Sequence, residues 1–226
     1  MKRSWQGRDG QYDRGKERGA ALLLAMLAVL MAGLSLAVDA LLVYGKRVRE
    51  NRQTATVLAA AKQSLIAHAI MQGGAARSLP CPFAGSVDDY ALSAGTSPCG
   101  GDDVAVIGLL PWTTLQRPPM WDSEKAPIWY AVSGHFKQGT TAAPLPPVCG
   151  AQTNGLMLGV TDDYAAILFA PGRALPGQTR LSAATPAIQD DFLDEENAVS
   201  TTDFVAKRRS GTFNDHVLGI RCSEIR

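Results

Sequence analysis

The sequence has almost no net charge, few histidines and none of the short motifs that mark common enzyme classes. Its 22 lysines and arginines nearly balance 21 aspartates and glutamates, so the net charge is +1. Nucleic-acid-binding domains usually carry a basic excess, and we therefore expect no nucleic-acid partner. His68, His135 and His216 lie far apart, and no nucleophile elbow, zincin motif, Walker loop or dinucleotide-binding glycine pattern is present. We expect no enzyme and no resident cofactor or metal.

Charged residues make up 19% of the chain but are missing from one segment near the N-terminus. Residues 20–38, AALLLAMLAVLMAGLSLAV, carry no charge, and after Asp39 the apolar sequence continues to Tyr44. A helix of about 20 apolar residues is long enough to cross a bilayer. Residues 1–19 in front of this segment carry six basic and three acidic side chains. The order is a basic leader followed by a segment able to span a membrane.

Three interpretations of this segment compete. A cleaved secretory signal fits the basic start and a small-residue site at Ser35-Leu36-Ala37, although the apolar run exceeds the usual length of about 7–15 residues. That cut would start the mature chain at Val38. A plain single-pass anchor needs no special borders, but basic residues on both sides give it no clear orientation. The third interpretation depends on the sequence of the junction itself.

The junction Lys16-Glu17-Arg18-Gly19, followed by Ala20-Ala21-Leu22-Leu23-Leu24, resembles the leader junction of type IV pilins and type II secretion pseudopilins. The resemblance implies a prepilin peptidase that cuts after Gly19 and methylates the new terminus, Ala20, while the hydrophobic helix is retained. Most members of the family have glutamate at the fifth mature position, where this chain has Leu24. Loss of that glutamate is a habit of certain minor members, notably tip pseudopilins and some minor pilins, so the resemblance favours a minor subunit, in the tip or the shaft of a filament.

Small side chains recur along the apolar segment at steps of four and three residues, which places them on one face of a helix. These seam residues are Ala21, Ala25, Ala28, Ala32, Ser35 and Asp39. Helices in lipid associate closely through small side chains, so the seam predicts packing against copies or relatives of the chain. The alternative is that alanine is simply common in bacterial membrane helices. Asp39 either has a partner within the membrane or reaches water near the end of the span.

The apolar segment continues without a proline or glycine-rich break into residues 45–74, where apolar residues recur at helical spacing. Gly73-Gly74 is a plausible stop, so we predict one helix from about Ala20 to Gln72. We divide the chain into a leader (1–19), a hydrophobic transmembrane or filament-core helix (20–44), an amphipathic continuation (45–74) and a globular domain (75–226).

Short apolar runs with intervening turns predict β-strands in the globular domain. The runs are 104–110, 128–132, 156–160, 165–169 and 217–220. The third and fourth flank Thr161–Tyr164 and predict a β-hairpin. With the long helix ahead of them, these strands predict an α+β fold in which the helix packs on a small antiparallel sheet.

Three motifs of the globular domain resemble a block in a group of proteobacterial prepilin-type proteins: Leu79-Pro80-Cys81-Pro82, Leu110-Pro111-Trp112 and the run IWYAVS at 128–133. The ending at 211–218 is similar as well, whereas Gln116-Arg117 replaces a frequent Gly-Leu. The resemblance implies an inner-membrane protein with a periplasmic domain, on the cell surface if assembled into a pilus. It implies as partners other pilin or pseudopilin subunits, prepilin peptidase, the inner-membrane assembly platform and membrane lipid, and it implies no catalysis.

The four cysteines form no CxxC pair, which argues against a zinc ribbon or a thioredoxin motif. All four follow the membrane segment, and an even number in an exported domain favours disulfides in an oxidising compartment. Of the three possible pairings we favour Cys81–Cys99, which closes a short loop, together with Cys149–Cys222, which ties the C-terminus to the sheet. Free buried thiols are the alternative.

Two further groups of residues have competing interpretations. The acidic group, Asp190, Asp191, Asp194, Glu195 and Glu196, offers oxygen ligands suited to calcium, but its spacing matches no EF-hand and a solvated helix face is simpler. The aromatic group, Trp112, Trp121, Trp129 and Tyr130, lines either a binding surface or the core.

We therefore expect a minor pilin or pseudopilin subunit with a structural role. A membrane-anchored periplasmic binding module and a secreted domain released by signal peptidase are the alternatives.

Overall fold

The computed structural model describes residues 14–72, 78–99, 104–138 and 155–225. The chain divides into two compact units, Met1–Arg49 and Glu50–Arg226. Helix α1, Arg14–Met71, begins in the first unit and ends in the second. The predicted long helix is confirmed, but it begins before Ala20 because lysine, glutamate and arginine are good helix formers and no proline interrupts them. The finer division of the chain at residues 19, 44 and 74 stays a prediction.

The second unit contains a sheet of six strands. The strands are β1 (Val106–Leu109), β2 (Trp129–Val132), β3 (Leu156–Leu158), β4 (Thr161–Ala170), β5 (Asp203–Phe204) and β6 (His216–Arg221). Five strands are paired in the order β1-β2-β4-β3-β5. The sixth, β6, lies off this path and pairs with β4. Strand β4 is therefore the centre of the sheet, and three other strands pair with it. The α+β class predicted from the sequence is confirmed.

The sheet is mixed, whereas the sequence predicts an antiparallel one. Strands β3 and β5 pair in parallel, with Met157 opposite Asp203 and Leu158 opposite Phe204. All other strand pairs are antiparallel. Parallel pairing requires a long crossover connection, and the chain between β4 and β5 is long enough to supply one.

The predicted β3–β4 hairpin is present, but its turn lies two residues earlier than expected. Gly159 and Val160 form the turn, and Thr161–Tyr164 are the first residues of β4 instead of the connection. Gly159 has a φ of +65°, a left-handed conformation that glycine adopts without the steric cost of a Cβ atom. Glycine at this position therefore fixes where the strand reverses.

Short helical elements surround the sheet. Helix α2, Val87–Leu92, begins with a capping box in which the Ser86 hydroxyl accepts the amide hydrogen of Asp89 at 3.0 Å. The stretch that contains the acidic group forms a 3₁₀ turn, Gln189–Asp191, and a four-residue helix α3, Glu196–Val199. Another 3₁₀ turn, Cys222–Glu224, follows β6.

The second half of α1 packs into the core of the second unit through one face. The buried positions include Thr54, Leu58, Ala61, Leu65 and Ala69, at helical steps of three and four. The four apolar ones belong to the same cluster as the fully buried strand β2 and the second half of β4. At the edge of this face the Lys62 ammonium donates to the Gly219 carbonyl at 3.0 Å and pairs with Glu224 at 2.7 Å. The helix is thus fixed to the last strand by an apolar face and a cation.

One of the two predicted disulfides is present. Cys81 and Cys99 are joined, with their Cα atoms 5.8 Å apart, and the loop they close contains helix α2. The buried Lys137 supports this loop, since its ammonium donates to the carbonyl of Cys99 at 2.9 Å. No described cysteine is free. Cys149 lies outside the described residues, so the Cys149–Cys222 bond stays a prediction.

The packing of α1 predicts a large difference between two substitutions on the same helix. Leu65 is fully buried, whereas 53% of the Ile70 side chain is exposed. Leu65→Ala should lower the free energy of unfolding by about 2–5 kcal/mol, because it removes buried methyl groups and leaves a cavity. Ile70→Ala, the matched control, should stay within about 0.5 kcal/mol of the parent. Urea unfolding of the full chain in detergent, followed by tryptophan fluorescence, measures both, and equal effects would contradict the packing described.

Candidate functional site

The first half of α1 is an exposed apolar surface. Its large apolar side chains that the structure describes between Leu22 and Tyr44 are exposed to between 46% at Val38 and 72% at Val29. The segment reaches a mean hydropathy of 2.3, with none of its most apolar window buried. One helix near the N-terminus is therefore long and apolar enough to cross a membrane.

The small side chains predicted to mediate assembly all lie on this helix. Steps of four and three residues keep Ala25, Ala28, Ala32, Ser35 and Asp39 on one face. The Ser35 hydroxyl donates to the Ala32 carbonyl at 2.8 Å, so its hydrogen bond is made inside the helix. The face therefore presents small side chains, and the Ser35 hydroxyl already has a hydrogen-bond acceptor within its own helix.

The predicted processing residues lie at the beginning of α1. The peptide bond between Gly19 and Ala20 is part of the helix, and the side chains of Ala20 and Ala21 lie outside the described residues. Leu24, the predicted assembly residue next to this junction, is 67% exposed.

The second unit contains a pair of buried carboxyl groups that the sequence did not reveal. Asp194 and Asp215 are only 3% and 4% exposed. The Asp194 carboxylate accepts the amide hydrogen of Asn214 at 2.6 Å, and Asp215 accepts the amide hydrogen of Asp194 at 3.0 Å. Asp215 also accepts a hydrogen bond from the Asn197 amide group at 3.0 Å. These reciprocal bonds tie the chain around α3 to the residues that lead into β6.

Burial changes the proton affinity of this pair. Loss of water raises the pKa of Asp215 to about 8, and it also raises the pKa of Asp194. One oxygen of Asp215, Oδ1, has no hydrogen-bond partner among the described residues. A proton held by Asp215 at neutral pH removes the repulsion that two adjacent carboxylates would have.

Arg180 places a positive charge close to the carboxyl pair. Its guanidinium donates to the Gly172 carbonyl at 2.7 Å and lies 5.5 Å from the centre of the Phe192 ring. Burial lowers the pKa of Arg180, and attraction by Asp122, Asp194 and Asp215 acts in the opposite direction. The arginine therefore offsets part of the negative charge of the buried acids.

Asp122 connects this region to a neighbouring loop. Its Oδ1 atom accepts the amide hydrogens of Glu124 and Ala126, both at 2.8 Å, and Oδ2 accepts the amide hydrogen of Gly172, also at 2.8 Å. Burial raises the pKa of this carboxyl, which is 1% exposed, and these hydrogen bonds act against the shift. Asp122 thereby fixes the loop that contains Trp121 beside the end of β4.

The acidic stretch at 190–196 does not form the solvated helix face that the sequence favours. Asp194 is buried, and the exposed Glu195 and Glu196 both pair with Lys207, at 2.6 and 2.8 Å. An open pocket of about 390 Å³ lies beside this stretch and is lined in part by Asp190, Asp194 and Glu195. Within the described ranges no group of three or more histidine, cysteine, aspartate or glutamate side chains is arranged to hold a metal ion.

A second concave surface lies between α1 and the loop held by Asp122; we call it the helix groove. It has a volume of about 420 Å³ and is lined by Gln53, Val57, Ala60, Arg117, Pro118, Pro119, Met120, Trp121, Asp122 and Lys125. The ring centres of Trp121 and Tyr90 lie 5.2 Å apart in an edge-to-face arrangement. The Arg117 guanidinium donates a hydrogen bond to the Ser64 hydroxyl on α1 at 2.8 Å. The groove has an apolar floor and two cations at its rim.

The four aromatic residues singled out in the sequence divide between core and surface. Trp129 and Tyr130 are buried on β2, 2% and 0% exposed, as expected for core residues. Trp112 and Trp121 are half-buried, and Trp121 lines the helix groove. Only one of the four therefore contributes to the concave surface described above.

Comparison with protein-family models, with curated proteins and with solved structures gives no match to this chain. Its function must be inferred from the arrangement of its own residues.

Sequence reasoning missed the buried polar residues Asp122, Arg180 and Asp215. Their partners stand far along the chain, such as Gly172 for Asp122, and no short motif marks them. The one available signal is that Asn214-Asp215 falls inside the C-terminal motif at 211–218, where polar residues stand directly before an apolar strand.

The carboxyl pair predicts a pH dependence of stability. The folded state keeps a proton on Asp215 up to about pH 8, whereas an unfolded aspartate releases it near its ordinary value of 3.8. Between these values the folded state binds more protons, so the free energy of unfolding should fall as the pH rises, by up to about 1.4 kcal/mol per pH unit. Asp215→Asn, which is neutral at every pH, should flatten this slope in urea unfolding measured from pH 4 to 8. Asp162→Asn, an exposed acid, is the control, and an unchanged slope in Asp215→Asn would contradict the assignment.

Proposed function

We propose that the chain is a minor pilin or pseudopilin-like subunit of a type IV pilus or type II secretion pseudopilus. It is anchored in the bacterial inner membrane by the first half of α1 and carries its second unit in the periplasm. The observation that carries the proposal is the two-part character of α1. Its first half exposes every described large apolar side chain from Leu22 to Tyr44, and its second half buries a face that includes Leu58 and Leu65. A helix of this kind serves a membrane or filament core at one end and a folded domain at the other.

Two other observations support the proposal. The small side chains from Ala25 to Ser35 allow helices in lipid to approach one another closely, as subunits of a filament core do. The Cys81–Cys99 disulfide is typical of a protein folded in an oxidising compartment such as the periplasm.

Leu24 is the basis for placing the subunit at the tip. In the pilin family the glutamate at this position pairs with the methylated terminus of a neighbouring subunit. A first subunit has no preceding partner with which to make that pair, and an apolar Leu24 is therefore compatible with an initiating or tip role.

A membrane-anchored periplasmic binding module is the second candidate. The open pocket beside Asp194 favours it, since about 390 Å³ is enough space for a small ligand. Such a module would need the membrane helix but no cleavage after Gly19.

The N-terminus of the mature protein tests these functions. Intact-mass and peptide mass spectrometry of the protein purified from the cells that produce it should find Ala20 as the first residue, carrying one methyl group. Gly19→Val should keep the leader, because the resemblance places the cut after glycine. A chain that starts at Val38 would identify a signal-peptidase product, and an intact Met1 would favour the plain anchor; either result contradicts the pilin proposal.

A further inference from the structure

The helix groove is shaped and charged to accept an apolar, acidic projection. Trp121, Met120 and Val57 supply apolar surface, and the exposed side chains of Arg117 and Lys125 stand at its rim. Asp122 also borders the groove, but both of its oxygens accept hydrogen bonds from the backbone. Glu124 is next to this rim in the chain but is not among the residues that line it. The surface that the groove offers to a partner is therefore apolar with a positive rim.

The β3–β4 turn has the complementary character. Val160 is 99% exposed, more than any other large hydrophobic side chain of the described ranges. Asp162, two residues further along, is exposed and forms no ion pair among the residues described. Gly159, with its φ of +65°, makes the turn tight. The result is a narrow projection with an isopropyl group at its tip and a carboxylate beside it.

The turn and the groove lie at opposite ends of strand β4. Val160 immediately precedes β4, while Gly172, which donates to Asp122 of the groove at 2.8 Å, follows its last residue by two positions. Ten residues at about 3.4 Å each separate the two ends by about 30 Å. The turn therefore cannot enter the groove of its own chain, but it can enter that of another.

We propose that the β3–β4 turn of one subunit docks into the helix groove of a second copy of this chain. Val160 would contact Trp121 and Met120, and Asp162 would face Lys125 and Arg117. Because two different surfaces meet, the contact is heterologous and does not form a symmetric closed dimer. The inference rests on the proposed function and assigns the surfaces through which such subunits meet.

Two other exposed apolar side chains fit the groove less well. Leu92 lies on α2, where the Tyr90 hydroxyl donates to the Met120 carbonyl of the groove at 2.8 Å, so it is at the same end of the sheet as the groove. Val199 lies on α3, where the acidic neighbour Glu196 is already paired with Lys207. Val160 alone among the three combines a projecting tip, an unpaired carboxylate and a position at the far end of β4.

Photo-crosslinking of the full chain in the membranes of producing cells tests the contact. A benzophenone amino acid replaces Val160, and after irradiation the cross-linked product is mapped by peptide mass spectrometry. The expected product joins two copies of this chain, with the second copy attached within 117–125 or near Val57. The same probe at Val199 is the control and should give about a tenth of that yield or less, since docking buries one valine and not the other. A cross-link to another polypeptide, to a different surface of this chain, or with equal yield at Val199 would overturn the proposal.

A charge exchange provides a second, independent measurement. Asp162→Lys and Lys125→Glu should each reduce the cross-link from a probe at Thr161 by about twofold to fivefold, as loss of an exposed ion pair does. When the same chain carries both Asp162→Lys and Lys125→Glu, every turn-to-groove contact pairs a lysine with a glutamate, and the yield should return toward that of the parent. Absence of this rescue would overturn the assignment of the two surfaces.

The outcomes for the contact and for the proposed function can be told apart. A methylated Ala20 terminus without the mapped cross-link overturns the docking proposal alone. The mapped cross-link on a chain that keeps Met1 supports the contact between copies, while the filament function fails.

Discussion

The burial of one face of α1 in the second unit is the contact on which the rest of this unit depends. Leu58, Ala61 and Leu65 enter the same core as β2 and the second half of β4, which are buried on both faces. An isolated helix is marginally stable in water, so tertiary packing of this face, more than helix propensity, holds the second half of α1. Ala61 and Ala69 are fully buried in this face, and their small side chains allow the helix backbone to lie close to the sheet.

The long connection between β4 and β6 is held by buried acids as well as by buried apolar side chains such as Phe192, Leu193 and Phe213. Asp122, Asp194 and Asp215 each accept backbone amide hydrogens that would otherwise be unpaired, and Arg180 offsets part of their charge. A buried carboxylate is costly where an oxygen lacks a partner, as Asp215 Oδ1 does among the described residues, and the raised pKa of Asp215 lets a proton remove its charge. Asp122 also fixes the loop containing Trp121, so the shape of the groove depends on the hydrogen bond that Asp122 accepts from Gly172, 50 positions further along the chain.

Much of the fold could be predicted from local sequence pattern. Helix α1 was predictable because a long run of helix formers contains no proline, and β2 and β4 were predictable because strands buried on both faces read as continuous apolar runs. Strand β5 was not, since the two residues Asp203 and Phe204 carry no periodicity. The buried acids were not predictable either, because a carboxylate is buried only where the fold supplies donors, and the Asp122 donor at Gly172 is 50 positions away.

The candidate assembly surfaces differ in how far the sequence revealed them. The seam on α1 is a repeat along one helix and is visible as spacing, whereas the helix groove joins α1 to a loop more than fifty positions further along the chain. In subunits that assemble as proposed, the seam allows close packing of helices but does little to set their register, since Leu24 offers no carboxylate to pair with a neighbour's terminus. The register must then be set by another contact. Charged groups at the edge of an interface can set it, because they fix how two surfaces align and exclude wrong partners. Neither surface has to bind tightly on its own, since anchoring in one membrane or filament raises the effective concentration of the second contact once the first is made.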